Sequence, residues 1–197
     1  MKIKFKKLYS TLFFLGFTTV AHAEEAVLMH NFDDTKGWFL SNPDTVAITD
    51  DKKLLIANDS GNVSMVRHRL DFSGDYTFTF DAATKVFSDK FKDALAVRLT
   101  NGTTKLELRF RNNAVFGVSP KEGGGNRYNQ LFALDSQSHQ YVVNVSGSVA
   151  SVSIDGGESK NFNLVPDKTA PHLFLFNRGI SESPAEAIVD NIVISKK

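Results

Sequence analysis

Apolar and polar side chains alternate with a period of two through most of the chain beyond its first two dozen residues. Leu106, Leu108 and Phe110 are interleaved with Lys105, Glu107, Arg109 and Arg111, and Leu95, Val97 and Leu99 with Ala94, Ala96, Arg98 and Thr100. Successive side chains of a strand project to opposite faces, so each run predicts a strand with one face in a core and one turned away from it. Tyr76, Phe78 and Phe80 alternate with Thr77, Thr79 and Asp81 in the same way. Tyr141, Val143 and Val145 face the run Val149–Ile154 across Gly147-Ser148. Asn101-Gly102 is a type I′ turn signal that joins the first two runs into a hairpin. With those two residues as the loop, Arg98 stands opposite Lys105, Ala96 opposite Glu107 and Ala94 opposite Arg109.

Further strands are expected at 26–32, 45–48, 53–57, 64–70, 114–118, 130–134, 172–176 and 187–195. No window of ten or more residues keeps a helical period, and Ser88–Ala94 is the one place where a single helical turn is expected. Many short strands separated by polar turns predict an all-β fold, an antiparallel β-sandwich or barrel. No repeat, low-complexity tract or Pro-rich linker divides it, and residues 24–197 are expected to form a single domain.

The first 23 residues differ in kind. Four lysines (Lys2, Lys4, Lys6, Lys7), an apolar run from Leu8 to Val20 and the small-x-small tripeptide Ala21-His22-Ala23 have the three parts of a secretory signal peptide. Cleavage after Ala23 and a periplasmic or secreted product are expected. The apolar run is shorter than the roughly 20 residues that a bilayer span needs, and no later stretch approaches that length.

Removing the leader changes the charge. The whole chain has 23 Lys and Arg against 22 Asp and Glu; without the four leader lysines, 19 basic and 22 acidic side chains remain, a net charge of about −3. That balance lacks the basic excess on which phosphate-backbone binding draws, so no nucleic-acid partner is expected. With no cysteine there is no disulfide framework, thiolate nucleophile or thiolate metal site. The mature histidines His30, His68, His139 and His172 are dispersed without ligand spacing, and zinc is not expected.

Three segments carry a family resemblance. His139-Gln140-Tyr141-Val142-Val143-Asn144-Val145-Ser146-Gly147, followed by Val152-Ser153-Ile154-Asp155-Gly156, resembles the hairpin "H-x-Y-x-V-x-V-x-G" and "V-x-I-D-G" of concanavalin A-like lectin/glucanase domains, the laminin-G-like group included. The opening Asn31-Phe32-Asp33-Asp34 with Gly37-Trp38, and the closing Val189-Asp190-Asn191-Ile192-Val193-Ile194, are similar to the first and last strands of secreted jelly-roll modules. The resemblance implies two curved antiparallel sheets of which the concave one often binds sugars. Galactose-binding-like carbohydrate modules share the opening and closing motifs, so that topology stays open at this point.

Retaining glucanases of this fold family usually present a Glu-x-Asp-x-Glu strand, because alternate residues carry two carboxylates to one face at the separation that acid and nucleophile need. No such pattern occurs here. Glu107 stands alone among basic residues, and Asp33-Asp34 and Asp50-Asp51 fall in expected turns. Polysaccharide lyases on related jelly rolls carry "R-x-E-L-R" and "Y-N-Q" strings together with a Gln-Ile-His element. This chain has Leu106-Glu107-Leu108-Arg109 without the leading Arg, Tyr128-Asn129-Gln130, and no Gln-Ile-His. An alternating strand yields such strings by itself, so no catalytic residue is assigned from them.

The outward positions are more informative. Arg98, Glu107 and Arg109, with Arg67, Arg69 and Arg111, project away from a core; beside Ala94 and Ala96 they form either a solvated sheet face or a floor of planar donors suited to carboxylates and sulfates. The segment Gly123–Gln130, with Arg127 and Tyr128, is expected to be a loop able to stack on and hydrogen-bond to a sugar. Trp38 is expected in the core. Asp33, Asp34 and Asp190 come from the first and last strands, and a structural calcium ion there is the one cofactor the sequence suggests.

The expectation is therefore an exported carbohydrate-binding β-sandwich with a polysaccharide or oligosaccharide partner. The contact residues are Arg98, Glu107, Arg109, Arg127 and Tyr128. A lyase or hydrolase, with Arg109, His139, Tyr128 and Glu107 as first suspects, and a structural envelope protein are the alternatives.

Overall fold

The computed structural model describes residues 25–60, 63–86, 93–111, 113–177 and 180–197; the expected leader, and all of the expected helical turn except Asp93 and Ala94, lie outside them. Alternation has become pairing throughout. The strands are β1 (Glu25–His30), β2 (Phe39–Leu40), β3 (Val46–Ile48), β4 (Leu54–Ser60), β5 (Ser64–Arg69), β6 (Tyr76–Val86), β7 (Leu95–Thr100) and β8 (Thr104–Arg111). They continue with β9 (Ala114–Pro120), β10 (Asn126–Ala133), β11 (His139–Ser146), β12 (Val149–Ile154), β13 (Lys160–Asn163), β14 (Val165–Pro166), β15 (His172–Asn177) and β16 (Ile180–Lys196). Among the described residues the one helical segment is a 3₁₀ turn at Pro43–Thr45. No helix among them is long and apolar enough to cross a membrane.

Two eight-stranded antiparallel sheets stack face to face. The first runs β13-β12-β11-β6-β16-β4-β3, with β1 also on β16; the second runs β10-β9-β8-β7-β15-β5-β2, with β14 on β8. The first and last strands pair, His30 with Ile192 and Met29 with Val193. The period-two apolar positions fill the space between the sheets. Phe78, Phe80, Tyr141 and Val143 come from the first sheet and Val97, Leu99, Leu108 and Phe110 from the second, all fully buried or nearly so. Phe110 closes the two halves together, its ring meeting Tyr141 edge-on at 5.1 Å while Tyr141 stacks on Phe80 at 5.0 Å. Each such aromatic contributes roughly 1.5–3 kcal/mol by leaving water. Trp38 joins the same core, against Phe32 and His68.

Gly147-Ser148 closes the β11–β12 hairpin as expected, with Ser146 opposite Val149. The β7–β8 hairpin differs from expectation by one position. Its loop is Gly102-Thr103, because Asn101 is used as a cap: its Oδ1 accepts the N–H groups of Thr103 (3.1 Å) and Thr104 (2.8 Å), and its Nδ2 donates to the Gly74 carbonyl (2.9 Å). Gly102 takes the positive φ (85°) that the tight turn requires. Arg98 therefore stands opposite Glu107 and Ala96 opposite Arg109, not opposite Lys105 and Glu107. The slip is two residues in register, so every side chain keeps its expected face.

The segment expected as a loop at Gly123–Gln130 is mostly strand, since β10 begins at Asn126 and pairs with β9 out to Pro120. At this end of the sandwich Phe162 of β13 packs flat on Gly117 of β9, where an added Cβ would lie 2.8 Å from its ring.

Candidate functional site

The outer face of the second sheet is built by the residues that alternate with its core positions. One row across the strands reads Phe39, Arg67, Phe174, Arg98, Glu107, each paired with the next. A neighbouring row reads Phe176, Ala96, Arg109, Phe116, Gln130. Tyr128, two residues before Gln130, shares that side of β10.

On an ordinary outer face these charges would be solvated. Here Glu107 retains 2% of its side-chain exposure, Asp93 7% and Arg109 10%. The cover comes from the arginines themselves, whose planar guanidiniums lie over rings. Arg98 and Arg109 sit 5.1 and 5.2 Å from the Phe176 centroid, Arg111 sits 4.5 Å from Tyr128, and Arg67 sits 4.9 Å from Phe39. Weakly hydrated, flat guanidiniums tolerate this placement far better than ammonium groups do.

The charges alternate in a chain. Glu107 accepts the Arg98 Nε–H at 3.0 Å and is also bound by Arg109; Arg109 reaches on to Asp93, which holds Arg111 through Nε at 2.9 Å. Burial pushes the Glu107 carboxyl up, but Arg109 and Arg98 outweigh it and hold it below the usual carboxylate range. Burial pulls Arg109 down, and Asp93 and Glu107 overcome that and raise it. Both groups are therefore locked in their charged forms.

The structure brings Arg98, Glu107, Arg109 and Tyr128 to one face. It does not bring Arg127 there, because adjacent strand residues point to opposite sides. Arg127 turns into an open cleft of about 400 Å³ at the sandwich edge, with Asn129, Lys160 and Phe162. His139 belongs to the other sheet, between Asp155 (2.6 Å) and Asp135 (2.8 Å), whose hydrogen bonds raise its pKa. Glu107, Arg109 and Tyr128 are thus separated from the fourth enzyme suspect.

Asp33 binds Lys52 (2.7 Å) and Asn31 (2.9 Å), Asp34 accepts the Lys36 N–H (2.9 Å) and Asp190 the Asn191 N–H (2.8 Å). Among the described residues no three His, Asp or Glu side chains gather as a metal-binding group. Sequence reasoning misses the aromatic half of the outer face, Phe39, Phe116, Phe174 and Phe176. Alternation along β9 and β10 carries a signal for Phe116 and Tyr128. It carries none for Phe174 and Phe176, because apolar residues occupy both faces of His172–Asn177.

Two stacked antiparallel sheets whose terminal strands pair form the β-sandwich that the alternation predicts. No family model matches the chain, and no curated protein matches it. Solved structures do. A sialidase superposes with a TM-score of 0.67 at 12% identity over 88% of this chain, which spans only 19% of that longer protein. A β-glucanase from Bacillus licheniformis gives 0.61 at 13% identity over 88% of this chain and 98% of its own. A family 7 alginate lyase gives 0.55 at 14% identity over 77% and 84%. These likenesses establish the fold alone, a jelly-roll β-sandwich of the concanavalin A-like kind.

Proposed function

We propose that this chain is an exported, non-catalytic carbohydrate-binding module, and that its glycan lies on the outer face of the second sheet. One observation carries the reading: the chain Arg98–Glu107–Arg109–Asp93–Arg111 spread over Phe176 and Tyr128, which presents planar donors and ring edges on a rigid sheet. Sugars are recognised by such groups. Sialidase, β-glucanase and alginate lyase are names of carbohydrate-active proteins, which supports the same class of ligand.

The non-catalytic half rests on the state of Glu107. A glycosidase needs a protonated carboxyl as acid and a free carboxylate as nucleophile or base; Arg109 and Arg98 hold Glu107 below the usual carboxylate range and occupy both its oxygens, which suits it to neither role. Export rests on the basic, apolar and small-x-small segments of residues 1–23.

A glycan array read together with a product-release assay on the purified protein tests the proposal. Retention of a glycan without shortened or unsaturated products is the expected result. Release of products would move the protein to the enzyme class, and failure to retain any glycan would remove the reading.

A further inference from the structure

Charge is unevenly distributed over this molecule. Without its leader the chain is slightly acidic, yet the outer face of the second sheet gathers six cations, Arg67, Arg69, Arg98, Lys105, Arg109 and Arg111, against Glu107, Asp93 and the nearby Asp167. Six against three leaves an excess of three positive charges on one face. His172 lies at the same end, beside Arg69.

The carboxylates on this face are already engaged. Glu107 bridges Arg98 and Arg109, and Asp93 bridges Arg109 and Arg111. Their hydrogen bonds fix the planes of Arg98 and Arg109, and an ion pair holds Arg111, while donors are left over: the hydrogen bond from Arg98 uses Nε alone, and its side chain is 33% exposed. Among the described residues Arg67 has no carboxylate partner and rests only on Phe39.

The rings are unequally open. Phe176 is 5% exposed beneath Arg98 and Arg109, whereas Phe39 and Tyr128 keep 51% and 46% of their surface exposed, each with a guanidinium, Arg67 or Arg111, lying over its ring. A ligand approaching this face therefore meets a guanidinium at each of these rings, and the two open rings flank the arginines at its edges. Planar, preoriented guanidiniums with spare N–H groups match carboxylate and sulfate oxygens.

Resting on the carbohydrate-binding reading, we infer that the ligand is an anionic glycan whose carboxylate or sulfate groups are held by Arg67, Arg98 and Arg111, with Glu107 and Asp93 as positioning residues that do not touch it. Arg67 and Arg98 lie on either side of β15, about two strand spacings or roughly 10 Å apart, so a polyanion crossing the strands meets both.

Calorimetric titration of the purified protein tests this with four probes: an oligogalacturonate, a sulfated galactan oligosaccharide, a neutral β-glucan oligosaccharide and an oligothymidylate. At least one of the acidic glycans is expected to bind about tenfold or more tightly than the neutral one, and to weaken as salt rises through the range where the Debye length is about 10 Å. The two acidic arms identify which anion is preferred. Arg67→Ala and Arg98→Ala should each cost about tenfold in affinity, with the Arg67→Ala melting curve unchanged. Glu107→Gln adds positive charge to the face and should nevertheless weaken binding. Its effect should be coupled to that of Arg98→Ala and additive with that of Arg67→Ala, a pattern that a merely structural loss does not give. Stronger binding in Glu107→Gln would overturn the positioning role. Equal, salt-independent binding of the neutral glycan, lost in Tyr128→Ala, would overturn the anionic ligand and leave the carbohydrate-binding reading standing. Binding to none of the glycans, with or without the oligothymidylate, would overturn both.

Discussion

Glu107 accepts the Nε–H of Arg98 from directly across the β7–β8 pair at 3.0 Å, on a sheet face that is not the core. Exposed ion pairs contribute little to stability, but a carboxylate with 2% of its side chain accessible is desolvated, and its arginines are what make it tolerable there.

Glu107→Ala should therefore destabilise the protein by about 3 kcal/mol, because it leaves buried guanidinium charge uncompensated. Asp33→Asn, which breaks the exposed pair with Lys52, should leave the melting temperature unmoved. Thermal unfolding of the two variants side by side checks the contrast, and equal effects would show that the outer-face chain is solvated.

Gly117→Ala should also destabilise, by about 1–3 kcal/mol, since its methyl group meets the Phe162 ring at 2.8 Å in a packed edge. The cost should fall in a Gly117→Ala/Phe162→Leu double variant to less than the sum of the two singles. Denaturant titration of the three proteins measures that difference.

These two sites mark how far the sequence can be read. Period-two alternation reveals the sheets and the inward faces of β7, β8 and β11, because hydrophobic burial writes a regular pattern. It also puts Arg98, Glu107 and Arg109 on one outward face, and a two-residue register slip leaves that conclusion intact. What the pattern does not contain is distance between elements that are remote in the chain. Asp93 joins Arg109 and Arg111 only through tertiary pairing, and Phe176 comes under Arg98 and Arg109 from a strand whose apolar residues line both faces. Arg127 and Tyr128 read as one loop because Gly123-Gly124-Gly125 precedes them. Once Asn126 starts a strand, pleating sends the two residues to opposite sides.

His139 gives a pH dependence. Its folded pKa is raised by Asp155 and Asp135, and both aspartates are lowered by their hydrogen bonds, Asp155 first by His139 and Asp135 first by the Gln137 N–H. The histidine's stabilisation is full below about 6.5 and is lost as pH rises through the raised value; that of the aspartates is present above about 3.9 and is lost as pH falls through the lowered ones. Wild type should exceed His139→Gln in melting temperature most between those limits, and the gap should close as pH rises through the raised His139 value. An NMR titration of the His139 ring with a midpoint at or below the ordinary value would contradict this.

A calcium ion at Asp33, Asp34 and Asp190 would have to compete with Lys52 and Asn31 for the Asp33 carboxylate. Melting curves in millimolar calcium and in excess chelator should therefore coincide. A higher melting temperature in calcium, by mass action on the folded state, that disappears in Asp33→Asn and Asp190→Asn would assign the site to these aspartates.

A glycan seated on the outer face of the second sheet should report its position in the backbone amide NMR spectrum of the protein, titrated with the glycan that the array retains best. Shift changes should gather at Arg67, Arg98, Arg109, Phe116 and Tyr128, with β11 and β12 unchanged. Changes gathered instead at Arg127, Asn129 and Lys160 in the edge cleft, or around His139 on the first sheet, would contradict that placement.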